Sequence, residues 1–181
     1  MKAIVFLADG FEECEGLLVV DILRRAGVET IMASIMGRLL VDSSRHIKIL
    51  ADVLAEDANY KDADIVILPG GRIGTENLAT SELVKSTVFQ FAKNRMVAAV
   101  CAAPSIFASL GLLKGKKATV HPDFVGVMCE ADVLDKSVVV DGNIVTGQGL
   151  GATIPFALEI VRILSGKEKA EKIKKAICYK D

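Results

Sequence analysis

The chain has 181 residues, 51% of them hydrophobic and 25% charged, a size and balance that fit one globular domain with a sizeable core. A formal net charge of -1, two tyrosines and no tryptophan exclude both the basic footprint and the stacking platform of a nucleic-acid binder. Four cysteines, Cys14, Cys101, Cys129 and Cys178, contain no CxxC pair and so exclude a disulfide framework or a thiolate metal site.

Ala3 to Leu7 is a continuous apolar run, as expected of a central parallel strand buried on both faces. It is too short for a signal segment or a membrane span, so a cytoplasmic protein with reduced thiols and no membrane contact is expected. Asp9-Gly10 breaks the run. Glu12 and Glu13 open a helix that ends at Gly27, acidic residues suiting its N-terminal dipole and glycine its C′ position. Apolar residues at Leu17, Leu18, Val19, Val20, Ile22 and Leu23 cover more than one stripe. That predicts packing on two sides, one against the sheet and the other against a second subunit.

Val28 to Ile35 reads as the next strand. Gly37–Asp42 and His46–Leu50 read as a small antiparallel excursion around a polar turn, with His46 in solvent. Asp64 to Leu68 is a further buried strand, halted by Pro69-Gly70-Gly71, a sharp turn with exposed amides. Ser81 caps a helix carrying Val84, Val88 and Phe91 at helical spacing. The strand Met96–Val100 then runs into Cys101-Ala102-Ala103-Pro104 and a helix ending near Gly111. Short strands are expected at Ala118–Val120, Asp132–Val133, Ser137–Val140 and Ile144–Thr146, with Asp141-Gly142 as a hairpin turn. A flexible loop, 147–151, precedes a helix from Thr153 to Leu164. The charged tail, Gly166 to Ile177, is a surface helix with a thin apolar stripe at Ala170 and Ile173. Alternating strands and helices give a single α/β domain over 1–181. It is a flavodoxin-like, doubly wound, mostly parallel sheet with helices on both faces.

In such sheets ligands sit beyond the carboxyl ends of strands. Four loops should converge there: residues 9–13, 69–71, 101–103 and 148–149. Cys101 lies on a tight strand-to-helix corner, the layout of a nucleophile elbow with sulfur in place of oxygen, and Pro104 fits the first helical turn. Taken alone the segment reads first as core packing, because free cysteine is among the most buried residue types. The first helix offers a carboxyl from Glu12, Glu13 or Glu15, which cannot all face one way. The Gly70-Gly71 turn offers amides for an oxyanion. His121, before Pro122 at a strand end, is a proton-transfer candidate or a structural histidine. Phosphate binding fits poorly: the first loop is acidic and Gly70-Gly71-Arg72-Ile73-Gly74 is not a dinucleotide fingerprint.

Several separated motifs together resemble the DJ-1/ThiJ/PfpI family, in its small single-domain branch. They are Ala8-Asp9-Gly10-Phe11-Glu12-Glu13-Cys14-Glu15, Asp21 to Gly27, Leu68-Pro69-Gly70-Gly71 followed by Asn77-Leu78, Ala99 to Pro104, His121-Pro122, and Phe156 to Val161. The resemblance spans essentially the whole chain. It implies that Cys101 is the reactive, easily oxidised cysteine, that Glu15 contacts its sulfur as a protonated donor to a thiolate, and that His121 lines the pocket. It further implies oxyanion-type amides from Gly71 and Ala102 and an Arg45 that approaches the pocket across a homodimer interface built on the first helix. A carboxyl sharing a desolvated pocket with a thiolate is pushed toward its neutral form, and the two titrate together.

The implied activity is a cysteine-dependent glyoxalase acting on methylglyoxal or glyoxal, or a deglycase acting on their adducts with protein side chains, needing no metal and no organic cofactor. The alternative is a redox-sensing stress-protection or chaperone protein whose Cys101 is oxidised to sulfinic acid. Ala102 stands where the protease-like branch has histidine, which disfavours peptidase activity. A glutamine-amidotransferase would need a His-x-Glu pair that does not follow His121. Gly149-Leu150-Gly151-Ala152 replaces a family Gly-Pro-Gly-Thr, removing a proline and a hydroxyl beside the pocket. Cys14 stands where relatives often carry an apolar residue and reads as interface packing, with redox coupling between subunits as the lesser alternative.

Overall fold

A computed structural model describes residues 1–180 of the chain. Its elements, in order, are β1 (Lys2–Leu7), α1 (Glu13–Arg25), β2 (Glu29–Ser34), β3 (Leu40–Asp42), β4 (Lys48–Leu50), β5 (Val53–Leu54), β6 (Ile65–Leu68), α2 (Arg72–Thr80), α3 (Glu82–Asn94), β7 (Met96–Val100), α4 (Pro104–Ser109), β8 (Lys117–Ala118), β9 (Asp132–Val133), β10 (Val138–Asp141), β11 (Ile144–Gly147), α5 (Thr153–Ser165) and α6 (Lys167–Ala176). The main sheet has the order β10-β11-β7-β6-β1-β2-β5. All its pairings are parallel except that of β10 with β11. The doubly wound architecture expected from the alternation is the one found.

The side-chain alternation of β1 assigns the layers. Ala3, Val5 and Leu7 pack with Val19, Ile22 and Leu23 of α1 and with Phe156, Ile160 and Val161 of α5. Ile4 and Phe6 pack on the other face with Leu78 of α2, Val84 and Val88 of α3, and Phe107 of α4. Each β1 residue from Ala3 to Leu7 is fully buried, because successive side chains of a strand enter opposite cores. The second packed side of α1 belongs to α5 of the same chain, so no second subunit is needed to explain it. Leu17 and Leu18 remain half-buried.

Two segments, α2 and residues 150–152, depart from the expectation. Helix α2 was not foreseen, because Gly74 and Asn77 are poor helix formers and Leu78 alone gives no period. Packing forms it: a Cβ on Gly74 would lie 2.5 Å from Phe11 N and Cα, so only glycine lets the helix reach the first loop, and Asn77 Nδ2 donates to Asp9 O at 2.8 Å. The short strands β8 and β9, expected without a sheet assignment, pair with each other in a separate two-stranded sheet. Residues 150–152 form a 3-10 turn instead of a flexible loop, closed by the Ala152 amide on Gly149 O at 2.9 Å. The β3–β4 hairpin is present as expected and clasps the first loop: Gly10 N donates to Asp42 O at 2.7 Å and Ser44 N to Phe11 O at 2.8 Å.

Candidate active site

Parallel strands β2, β1, β6, β7 and β11 end on one edge, and the direction of winding reverses between β1 and β6. A crevice opens at such a switch point. Into it come Glu15 from the first turn of α1, Gly70 and Gly71 after β6, and Cys101 after β7. Register carries them there: Leu68 pairs with Ala99 and Val100 with Gly147.

Cys101 has φ +64°, a left-handed conformation that costs an L-residue about 1 kcal/mol or more. The corner is over-determined by its partners. Cys101 N donates to Gly147 O at 3.0 Å, Cys101 O accepts from His121 N at 2.9 Å, and Ala103 N reaches back to Val100 O at 3.1 Å. Ser105 Oγ donates to Ala102 O at 2.7 Å. The bend lifts the side chain off the sheet end, leaving Cys101 half-buried where an undistorted strand would have sunk it into the core.

Glu15 is 1% exposed. Its Oε2 accepts from Gly70 N at 3.0 Å, and its carboxyl hydrogen-bonds to the Cys101 thiol. Gly70 is obligatory: a Cβ there would lie 2.5 Å from both Cys101 Cβ and Glu15 Oε2. At Gly71, φ is +87° and a Cβ would strike Gly10 O at 2.4 Å. The two glycines do different work. The Gly70 amide is committed to Glu15, so it positions the carboxyl, whereas the Gly71 and Ala102 amides point at the sulfur and form the anion-stabilising pair.

Burial pushes the Glu15 carboxyl up to about 7, the hydrogen bond from Cys101 offsetting part of it and the charge of Glu12 adding to it. Burial also pushes the Cys101 thiol up to about 12, with the charge of Glu15 and its hydrogen bond acting in the same direction against the Gly71 and Ala102 amides. Each group thus acts on the proton of the other. A buried carboxylate and a buried thiolate repel, so the pair keeps one proton between them. The shared proton lies between the Glu15 carboxyl and the Cys101 sulfur, with the Gly71 and Ala102 amides on the sulfur side.

The other candidates lie around this pair. Of the three acidic residues at the start of α1, Glu15 turns inward. Glu12 and Glu13 instead receive the Ser44 hydroxyl at 2.8 and 3.1 Å. His121 is joined to the corner through its backbone. Its ring is 40% exposed, and Nδ1 accepts from Asp123 N at 3.3 Å, which caps the following 3-10 turn. Arg45 is exposed on the β3–β4 turn, its amide serving Glu13. A hollow of about 420 Å³ beside His121 is lined by Pro122, Ser137, Gln148 and Leu150. Another of the same volume, lined by Met1, Asp64, Arg95 and Asn143, lies at the opposite end of the strands and holds no nucleophile. Among the described residues no group of three or more His, Cys, Asp or Glu is placed to hold a metal ion, and no helix is long and apolar enough to cross a membrane. Sequence reasoning passed over Arg72, whose only signal was its place directly after Gly71.

A model of the DJ-1/PfpI family matches residues 1–163. Protein DJ-1 homolog B of Arabidopsis thaliana is 39% identical over 177 residues, covering 97% of this chain but 40% of that protein. The chain thus spans less than half the length of that relative. A Caenorhabditis elegans protein named glutathione-independent glyoxalase DJR-1.2 is 31% identical, with 92% of this chain and 90% of the relative covered. Among solved structures, Drosophila melanogaster DJ-1beta superposes with a TM-score of 0.96 at 35% identity, covering 99% of this chain and 98% of that one. Toxoplasma gondii DJ-1, solved oxidized, gives 0.95 at 32% identity with 99% of each chain covered.

Proposed function

Because the chain belongs to the DJ-1/PfpI family, we propose that it is a cofactor-independent glyoxalase for small 2-oxoaldehydes such as methylglyoxal and glyoxal, with Cys101 as the nucleophile. The observation that carries the reading is the contact of Cys101 with a buried carboxyl on one side and two unshared amides on the other. The name of the Caenorhabditis elegans relative supports it.

In methylglyoxal the Cys101 sulfur adds to the aldehyde carbon while the Glu15 carboxylate takes the thiol proton. The oxyanion forms against the Gly71 and Ala102 amides and recovers that proton, giving a hemithioacetal. Glu15 then removes the hydrogen on C1. The electron pair moves through an enediol, the proton is returned to C2, and C1 becomes a thioester. Water hydrolyses the thioester, releasing lactate and the free thiol. In deglycation the Cys101 sulfur replaces the protein side chain at C1 of its methylglyoxal adduct: the C1–N or C1–S bond breaks, the freed amine, guanidine or thiol leaves with the proton that Glu15 took from Cys101, and the same hemithioacetal then follows the steps above. His121, at the edge of the crevice, is placed to handle the proton of the hydrolytic water, and the setting is a reducing compartment such as the cytoplasm.

The test is lactate formation from methylglyoxal by wild type, Cys101→Ser and Glu15→Gln side by side. Both variants are expected to lose turnover, and wild-type turnover in Cys101→Ser refutes the reading. A second reading, oxidation of Cys101 to the sulfinic acid as a stress signal, is favoured by the existence of an oxidized relative and by amides suited to sulfinate oxygens. A gain of about 32 Da on Cys101 after mild peroxide, together with negligible glyoxalase turnover in the reduced protein, selects it.

A further inference from the structure

The chain has seven arginines. Five have guanidinium groups committed to hydrogen bonds within the fold: Arg24, Arg25, Arg38, Arg95 and Arg162. Among the described residues Arg45 and Arg72 make no such bond through the side chain. Arg72 has a distinctive setting. It is the first residue of α2, directly after the Gly70-Gly71 turn that packs on Cys101. Its guanidinium carbon lies 5.2 Å from the centroid of the Phe124 ring, and its only charged partner among the described residues is Asp123, at 3.9 Å with both side chains about two-thirds exposed.

Phe124 and Asp123 belong to the turn that leaves the other side of the same corner. His121 N donates to Cys101 O at 2.9 Å and Phe124 N to His121 O at 2.8 Å. The Phe124 ring meets the His121 ring edge-on at 6.4 Å, and Asp123 lies 3.8 Å from His121 Nδ1. Two segments anchored on Cys101 are thus bridged outside it by an arginine stacked on an aromatic face. Stacking fixes the guanidinium plane and leaves its N–H donors unspent. A 3.9 Å pair in solvent is weak and readily exchanged for another anion.

We propose that Arg72 is a substrate-selecting residue at the mouth of the Cys101 site, favouring electrophiles that carry an anionic group, carboxylate or phosphate, beside the reactive carbon. Phe124 positions the guanidinium, and Asp123 is the internal anion that an incoming one displaces. The proposal deepens the glyoxalase reading by assigning a substrate class, a 2-oxoaldehyde bearing a carboxylate or phosphate. It rests on that reading only in taking Cys101 as the reactive centre.

The test uses two alkylating reagents of nearly equal size, iodoacetate and iodoacetamide, and follows the Cys101 peptide by mass spectrometry, so that the other three cysteines do not contribute. The quantity read is the ratio of the anionic to the neutral rate at pH 8. Arg72→Gln is expected to lower the ratio about two- to fivefold, the range exposed charge pairs give, and Asp123→Asn to raise it. An unchanged ratio in Arg72→Gln overturns the proposal. So does an equal change in both rates, which describes a steric gate without charge selection. Methylglyoxal turnover, measured separately, decides the glyoxalase reading and leaves the ratio untouched.

Discussion

The buried carboxyl of Glu15 should weaken the fold as the pH rises, and Glu15→Gln should remove that weakness. Its ordinary value is 4.5 and burial holds it at about 7, so the native state binds a proton that the unfolded chain has already released. The sign follows: stability contributed by Glu15 is fully present below pH 4.5 and is lost as the pH rises through 7. Integrating between these values, the loss from pH 5 to pH 8 is about 2.5 kcal/mol. Gln cannot ionise and keeps an oxygen to accept from Gly70 N. The assay is urea denaturation of wild type and Glu15→Gln at both pH values. Other titrating groups cancel in the difference between the two proteins. Glu15→Gln should gain on wild type by about 2.5 kcal/mol between pH 5 and pH 8. A difference that does not change with pH would refute the assignment of a raised Glu15, and with it the shared proton of the pair.

Gly70→Ala places a methyl 2.5 Å from Cys101 Cβ and Glu15 Oε2; it should cost about 1–3 kcal/mol in thermal unfolding and slow alkylation of Cys101 at least tenfold. Cys101→Gly should be about 1 kcal/mol more stable than Cys101→Ala, since both lose the thiol but only glycine is relaxed at φ +64°; equal stability in calorimetry would mean the corner is unstrained. Gly74→Ala, blocked by Phe11 backbone at 2.5 Å, should lift α2 from the first loop and raise amide exchange across 72–80. A homodimer through α1 is proposed from the half-buried Leu17 and Leu18 and the exposed Cys14. Sedimentation should give twice the 19.3 kDa chain mass, shifting toward monomer in Leu17→Lys, and a wild-type monomer at tens of micromolar would sink it.

Much of this molecule is legible in one dimension. The unbroken apolar run of β1 demands cover on both faces, the alternation of strands and helices demands a doubly wound sheet, and the break at Cys101-Ala102-Ala103-Pro104 demands a sharp corner at a strand end. These rest on local periodicity and backbone chemistry, which need no knowledge of neighbours. The choice among Glu12, Glu13 and Glu15 was not local. All three sit in one helical turn with the same propensity. Only the packing of α1 against α5 and the sheet turns Glu15 toward Cys101 and leaves the other two to Ser44. The existence of α2, the division of labour between the Gly70 and Gly71 amides, and the bridge from Arg72 to Phe124 are likewise decided by contacts between segments far apart in the chain. Sequence alone determined that a cysteine would stand at the carboxyl edge of the sheet. Tertiary structure decided where its proton goes, because desolvation and the approach of a distant carboxyl set that balance and neither is written in the order of residues.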